Sequence, residues 1–162
     1  MRIIQPQALT ARAFAPYGEV LETAGHEAQW INQGSTEKYA DLARLVAGDG
    51  GRLGLHLFRS QPAAEPIAMR TLERHRLGSQ AFIPLHPRPF PVVVAAPDAP
   101  RSAESVRVFL SNGRQGINLR PGTWHHALLC LGEPSDFLVL DRLAEAPDCE
   151  EWTLDQPLLI RL

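Results

Sequence analysis

The chain has 162 residues and a mass of 17.9 kDa, the size of one domain with a core of its own. Its 16 basic and 18 acidic residues leave a formal charge of -2, so it lacks the basic excess of a generic nucleic-acid or membrane-surface binder. Lys38 is the only lysine and has no GxxxxGK(S/T) frame around it, which excludes a P-loop, and with Cys130 and Cys149 the only cysteines neither a disulfide framework nor a Cys-rich zinc site is available. The N-terminus carries no signal-peptide pattern and no apolar run approaches the roughly 20 residues of a membrane span. The expectation is a soluble, cytoplasmic protein with neither a nucleic-acid nor a membrane partner.

In chain order, Thr10 is placed to cap a short helix over Ala11–Ala15, stopped by Pro16 and Gly18. Most of the remaining sequence reads as short strands between turn residues. Leu53, Leu55 and Leu57 alternate with Gly54, His56 and Phe58, which predicts a largely buried strand ending at Arg59. Ile67–Glu73, Gln80–Leu85 and the valine-rich Pro91–Ala96 follow as strands. A helical turn near Ser102–Ser105 precedes a strand containing Val106, Val108 and Leu110, and Phe137–Asp141 and Leu158–Leu162 complete the series. Cys130, in the apolar run Ala127–Leu131, reads as a small buried hydrophobe. The 14 prolines and 12 glycines are scattered, with no repeat or low-complexity tract, so residues 1–162 are expected to form a single unit. Many short strands and little helix predict a mainly β fold, an antiparallel sandwich or barrel.

Two segments interrupt this strand-like sequence with polar residues at ligand spacing. In Glu73-Arg74-His75 the outer two residues share one strand face, and Gln80 re-enters the next strand after a turn at Gly78. In Pro121-Gly122-Thr123-Trp124-His125-His126 the Pro-Gly pair makes a tight turn that delivers His125 to a strand. Adjacent histidines on a strand face opposite sides, so at most one of His125 and His126 lines a given cavity. Glu73-x-His75 with Gln80, and Pro121-Gly122-x-x-His125, resemble the two metal-ligand motifs of the cupin superfamily, with Glu73 standing where the first histidine of that pattern usually lies. The bland alternative is a hydrogen-bonded polar cluster inside a barrel.

A closer resemblance spans almost the whole chain. Phe14-Ala15-Pro16-Tyr17-Gly18-Glu19-Val20, Ile31-Asn32-Gln33-Gly34, Glu73-Arg74-His75 and Leu77-Gly78-Ser79-Gln80-Ala81-Phe82-Ile83-Pro84 are similar to segments of the ureidoglycolate lyase family. So are Asn112-Gly113-Arg114-Gln115-Gly116-Ile117-Asn118, Trp124-His125-His126 and Phe137-Leu138-Val139-Leu140-Asp141-Arg142. The resemblance implies a cupin-like antiparallel β-barrel or jelly roll with a few short helices, a homodimer, and conversion of (S)-ureidoglycolate to glyoxylate and urea in allantoin degradation. It also implies a divalent metal, nickel in some members, for which Glu73, His75, Gln80 and His125 are the candidate ligands.

That chemistry needs a base for the substrate hydroxyl, an acid for the leaving nitrogen and donors for the carboxylate. Glu73, His75, His125 and His126 are the catalytic candidates, with Glu73 or His125 as base. Arg59, Gln80 and Asn118 are the candidate substrate-binding residues, although Arg59 also suits a solvated or interface position and Asn118 a turn. Arg142, next to Asp141, reads as its ion-pair partner, and Trp124 as packing. The generic motifs alone also allow another metal-dependent cupin enzyme, a dioxygenase or isomerase, or a non-catalytic small-molecule-binding module.

Overall fold

A computed structural model describes residues 1–162. In chain order its elements are β1 (Arg2–Ile4), β2 (Gln7–Ala8), helix α1 (Ala11–Phe14), β3 (Gly18–Leu21), β4 (Gln29–Ile31), β5 (Thr36–Lys38) and β6 (Arg52–Ser60). They continue as β7 (Ile67–His75), β8 (Gln80–Pro84), β9 (Pro91–Ala95), β10 (Arg107–Leu110), β11 (Gly116–Leu119), β12 (Trp124–His125), β13 (Ser135–Leu143) and β14 (Cys149–Ile160). Thr10 caps α1 as expected, its hydroxyl accepting from Ala13 N at 3.2 Å. The Ser102–Ser105 turn is a short 3-10 helix over Ala103–Ser105, capped by the Ser102 side chain.

The strands form a seven-stranded sheet, β1-β14-β7-β12-β9-β10-β2, a five-stranded sheet, β3-β11-β8-β13-β6, and the separate hairpin β4-β5. This is the expected mainly β, cupin-like architecture. The pairing is antiparallel except at the ends of the larger sheet, where β1 runs parallel to β14 and β2 to β10.

The first core joins inward residues of both main sheets, among them Phe82, Val92, Val94, Phe109, Ile117, Phe137 and Val139, and closes over α1 through Phe14. The second lies on the other face of the larger sheet and includes Val93, Ala95, Trp124, Trp152 and Leu158. Both faces of β9 are therefore buried, which explains its unbroken Val92-Val93-Val94 run: a strand covered on two sides does not alternate. Cys130 is fully buried, and its thiol donates to the Ser60 carbonyl at 3.1 Å.

Several strand expectations differ from the structure for identifiable reasons. Leu53, Leu55 and Leu57 are not buried. They sit on the outward face of β6, an edge strand, and Leu55 is 66% exposed. Alternation marked the strand correctly, but the inward residues are Gly54, His56 and Phe58, paired with Asp141, Val139 and Phe137 of β13. The terminal strand is much longer than Leu158–Leu162, because β14 starts at Cys149 and slips register against β7 between Thr153 and Leu158. Within β7 the buried set changes phase near that slip, from Ile67 and Met69 to Leu72 and Arg74. Leu72 and Arg74 then pack towards Trp124, which leaves Glu73 and His75 to the opposite side.

Candidate active site

Glu73 and His125 are direct cross-strand partners in the β7–β12 pairing, and His75 lies two residues along the same face of β7. The turn before β12 is set by sequence. Thr123 N donates to the Arg120 carbonyl at 3.2 Å, with Pro121 and Gly122 at the two central positions and Gly122 at φ 85°. Proline fixes the first central position and glycine adopts the positive φ of the second, the signature of a type II turn. Gly122 N also donates to the His75 carbonyl at 2.7 Å, anchoring the turn to β7. As a result one ligand-capable atom each from Glu73, His75 and His125 lies within 4.8 Å of the others.

His125 is 4% exposed. Its Nδ1–H donates to the Thr123 carbonyl at 3.0 Å, which fixes the tautomer and leaves the Nε2 lone pair bare. Burial is the main cause that lowers its pKa, to about 4; the hydrogen bond to the Thr123 carbonyl opposes the shift, and the neighbouring His75 and His126 add to it. The neutral imidazole turns Nε2 towards Glu73 Oε1 at 3.6 Å. The contact is neither an ion pair nor a hydrogen bond, because both atoms present electron pairs, and Nε2 has no hydrogen-bond partner. Two lone-pair donors converging, one on a buried imidazole and one on a half-buried carboxylate, form a site for a cation or an acidic proton. Behind His75, Asp148 Oδ1 lies 3.7 Å from Nδ1, and its other oxygen accepts from Leu77 N at 2.8 Å. Cys149 approaches Glu73 Oε2 at 3.8 Å, and burial together with that carboxylate raises the thiol pKa.

A cavity of about 470 Å³ opens on this cluster, lined by Glu73, Gln80, His125, Arg59, Phe58 and Phe82 among others. Gln80 enters from the opposing sheet. Its register partner on β11 is Leu119, so it shares the inward face with Phe82, and its Oε1 is buried without a partner. Arg59 stands at the rim, gripped by Asp136 through two hydrogen bonds of 2.7 and 2.9 Å.

Two other predicted site residues are placed differently. Asn118 pairs with Ala81 and Glu19, between the inward residues Ile117 and Leu119, so it faces away from the cavity. It is fully buried and donates to Glu19 Oε2 and the Arg44 carbonyl. His126 lies just beyond β12, its backbone N donating to the Val93 carbonyl and its Nδ1 close to the Ala127 carbonyl. It is not among the lining of the 470 Å³ cavity. Arg142 makes no ion pair with Asp141. Neighbours on a strand point to opposite faces, and Arg142 donates instead to the Ala146 and Asp49 carbonyls. Asp141 points inward, to Gln80 and His56, a connection between strands that the sequence spacing does not display. Trp124 is packing, as expected, edge-on to Trp152 with ring centroids 5.5 Å apart.

A cupin-like β-barrel that gathers a carboxylate and two imidazoles between its sheets defines a small-molecule site suited to a divalent ion. Comparison with known proteins narrows the class. The family model described as ureidoglycolate lyase matches residues 1–161. A ureidoglycolate lyase of Azotobacter vinelandii is 48% identical over 153 residues, covering 93% of this chain and 92% of the relative. Those of Brucella anthropi and Burkholderia mallei are 49% and 45% identical, covering 93% and 98% of this chain and 88% and 93% of the relatives. The chain belongs to the ureidoglycolate lyase family.

Proposed function

We propose that this protein is a carbon–nitrogen lyase that cleaves (S)-ureidoglycolate into glyoxylate and urea, a step of allantoin breakdown. The observation that carries this reading is the family match across residues 1–161. Ureidoglycolate holds a hydroxyl, a carboxylate and a ureido nitrogen on one carbon. The hydroxyl loses its proton, its oxygen electrons form the aldehyde C=O, the C–N bond breaks, and the departing urea nitrogen takes up a proton. The cavity has a group for each requirement. A hydroxyl seated between Glu73 Oε1 and His125 Nε2 meets two acceptors, either of which can take its proton and return it to the leaving nitrogen. The N–H groups of Arg59 not engaged by Asp136 face the substrate carboxylate at the rim, and Gln80 contacts the ureido end.

Glu73, His75 and His125 also fit a divalent ion, because the bare Nε2 of His125 lacks a protein partner, and imidazole and carboxylate donors suit nickel, manganese or zinc. Such an ion supplies Lewis acidity that lowers the hydroxyl pKa. Incubation of the purified protein with ureidoglycolate should release urea and glyoxylate in equal amounts. A chelator should suppress that release, and added nickel or manganese should restore it. Ammonia without urea would instead identify an amidohydrolase.

The same reading includes a single catalytic unit over residues 1–162, a cytoplasmic setting that keeps both free cysteines reduced, and a homodimer. No helix is long and apolar enough to cross a membrane. An antiparallel sheet with one face in water normally presents polar residues there, yet the outer face of β6 presents Leu53, Leu55 and Leu57. The larger hollow of the molecule, about 670 Å³, lies on the outer side of the same sheet and is lined by Leu21, Leu42, Leu45, Ala81, Ile83 and Leu140. Its lining also includes Glu22, Thr23 and Arg114 but none of the clustered Glu73, His75 and His125 side chains, and we assign it to association rather than to chemistry. An exposed apolar face of this kind suits a second copy of the chain. Light scattering should give about twice the 17.9 kDa chain mass for the native protein and a single chain mass for Leu55→Asp. A dimer that survives the substitution would place the interface elsewhere.

A further inference from the structure

We infer that Asp141 is a positioning residue that fixes which end of the Gln80 carboxamide faces the substrate. The inference rests on the proposed lyase reading and assigns a way of recognising the ureido group. Gln80 Nε2 donates to Asp141 Oδ2 at 3.2 Å, and the other oxygen, Oδ1, lies 3.1 Å from His56 Nε2. An ionised carboxylate only accepts hydrogen bonds. The carboxamide must therefore turn its NH2 group towards Asp141 and its carbonyl oxygen away. That oxygen is buried and has no partner in the protein, on a residue that is 8% exposed and lines the cavity beside Glu73 and His125.

The support behind Asp141 is built into the pairing of β6 and β13. Asp141 lies opposite Gly54, and a Cβ on Gly54 would come within 2.7 Å of His56 Nε2. Glycine at this position leaves the room through which His56 reaches the carboxylate. The chain His56–Asp141–Gln80 thus begins at the edge strand and ends on the buried, unpaired carboxamide oxygen of a side chain that lines the cavity.

An acceptor held in this orientation selects for a hydrogen-bond donor over an acceptor at the same place, and the N–H groups of a ureido end meet that requirement. Ureidoglycolate carries such donors on its ureido group, whereas a hydroxy acid without that group does not. Leaving a buried oxygen unmatched costs about 1–3 kcal/mol, a factor of roughly 5–150 in binding. Gln80 therefore discriminates for the ureido end of the substrate, and Asp141 maintains that discrimination by preventing an amide flip.

The test is a double-mutant cycle in the full-length protein, read as KM and kcat for ureidoglycolate. Asp141→Leu and Gln80→Leu are each expected to raise KM about tenfold or more while changing kcat less than about threefold, the signature of lost binding shared by ground and transition states. The double variant should match Gln80→Leu, because Asp141 acts through that side chain. A full additional KM increase from Asp141→Leu in the Gln80→Leu background would overturn the inference and leave Asp141 with a structural role. If Asp141→Leu does not fold, Asp141→Ala carries the same cycle with space for water.

Equilibrium titration with nickel alone provides a readout independent of turnover. Affinity should be unchanged in both single variants, and a tenfold loss in both would assign Gln80 to the ion and overturn the ureido assignment. Failure of the native protein to release urea would defeat the lyase reading and this inference with it. Native turnover combined with an additive cycle would defeat this inference alone.

Discussion

His125→Ala is expected to lower the rate of urea release by about 10²–10⁴-fold, the range associated with a positioned acid–base group. The substitution removes the buried Nε2 that faces Glu73 and with it one of the three groups gathered for an ion. The fold should persist, since the neighbouring backbone contacts that hold β12 between β7 and β9 do not involve the imidazole. Steady-state urea release, with near-UV circular dichroism as a check on packing, measures the effect. Turnover within tenfold of the native protein would remove His125 from the reaction.

Trp124→Ala should produce the largest loss of stability among single substitutions considered, about 3–5 kcal/mol, as is typical of a large aromatic side chain removed from a core. Trp124 is 1% exposed. It meets Trp152 edge-on, and the Arg74 guanidinium lies 4.3 Å from its ring centroid. Arg74 is in turn held by Glu150 at 2.8 Å. Removing the ring therefore opens a cavity and leaves a buried guanidinium without its aromatic face. Urea denaturation should show a lower midpoint at an unchanged slope. Trp30→Ala, on the exposed β4-β5 hairpin, should remain within about 0.5 kcal/mol of the native protein. Similar losses at both positions would contradict this account of the core.

The parts of the site legible in the sequence are those governed by local geometry. The two-residue period of a strand put Glu73 and His75 on one face, and the Pro121-Gly122 turn pointed to the delivery of His125. Which face of a strand turns inward depends on sheet packing, which local spacing does not encode. That is why Asn118 was expected near the substrate although it points outward, and why the leucines of β6 were expected in the core. Pairing between distant strands was similarly hidden. Arg59 meets Asp136 across β6 and β13, and Asp141 reaches Gln80 rather than its chain neighbour Arg142. Short strands such as β3 and β11 begin with glycine and carry a polar residue within four positions, so their strand signal is weak, and only their pairing with each other and of β11 with β8 makes them strands.

The cross-strand pairing of Glu73 with His125 has a consequence for how the site comes into being. No short segment of the chain contains it, and the two-residue β12 has little stability outside the sheet that surrounds it. Closure of the loop between β7 and β12 must therefore precede assembly of the cluster, which ties the site to the slow, non-local stage of folding. Local fluctuations that preserve the sheet leave the cluster intact, whereas partial unfolding that frees β12 dissolves it at once. The backbone amides of Gly122 and His126, bonded to the carbonyls of His75 and Val93, lie at the two seams of that strand. Their hydrogen exchange therefore reports, residue by residue, how often the assembled site opens.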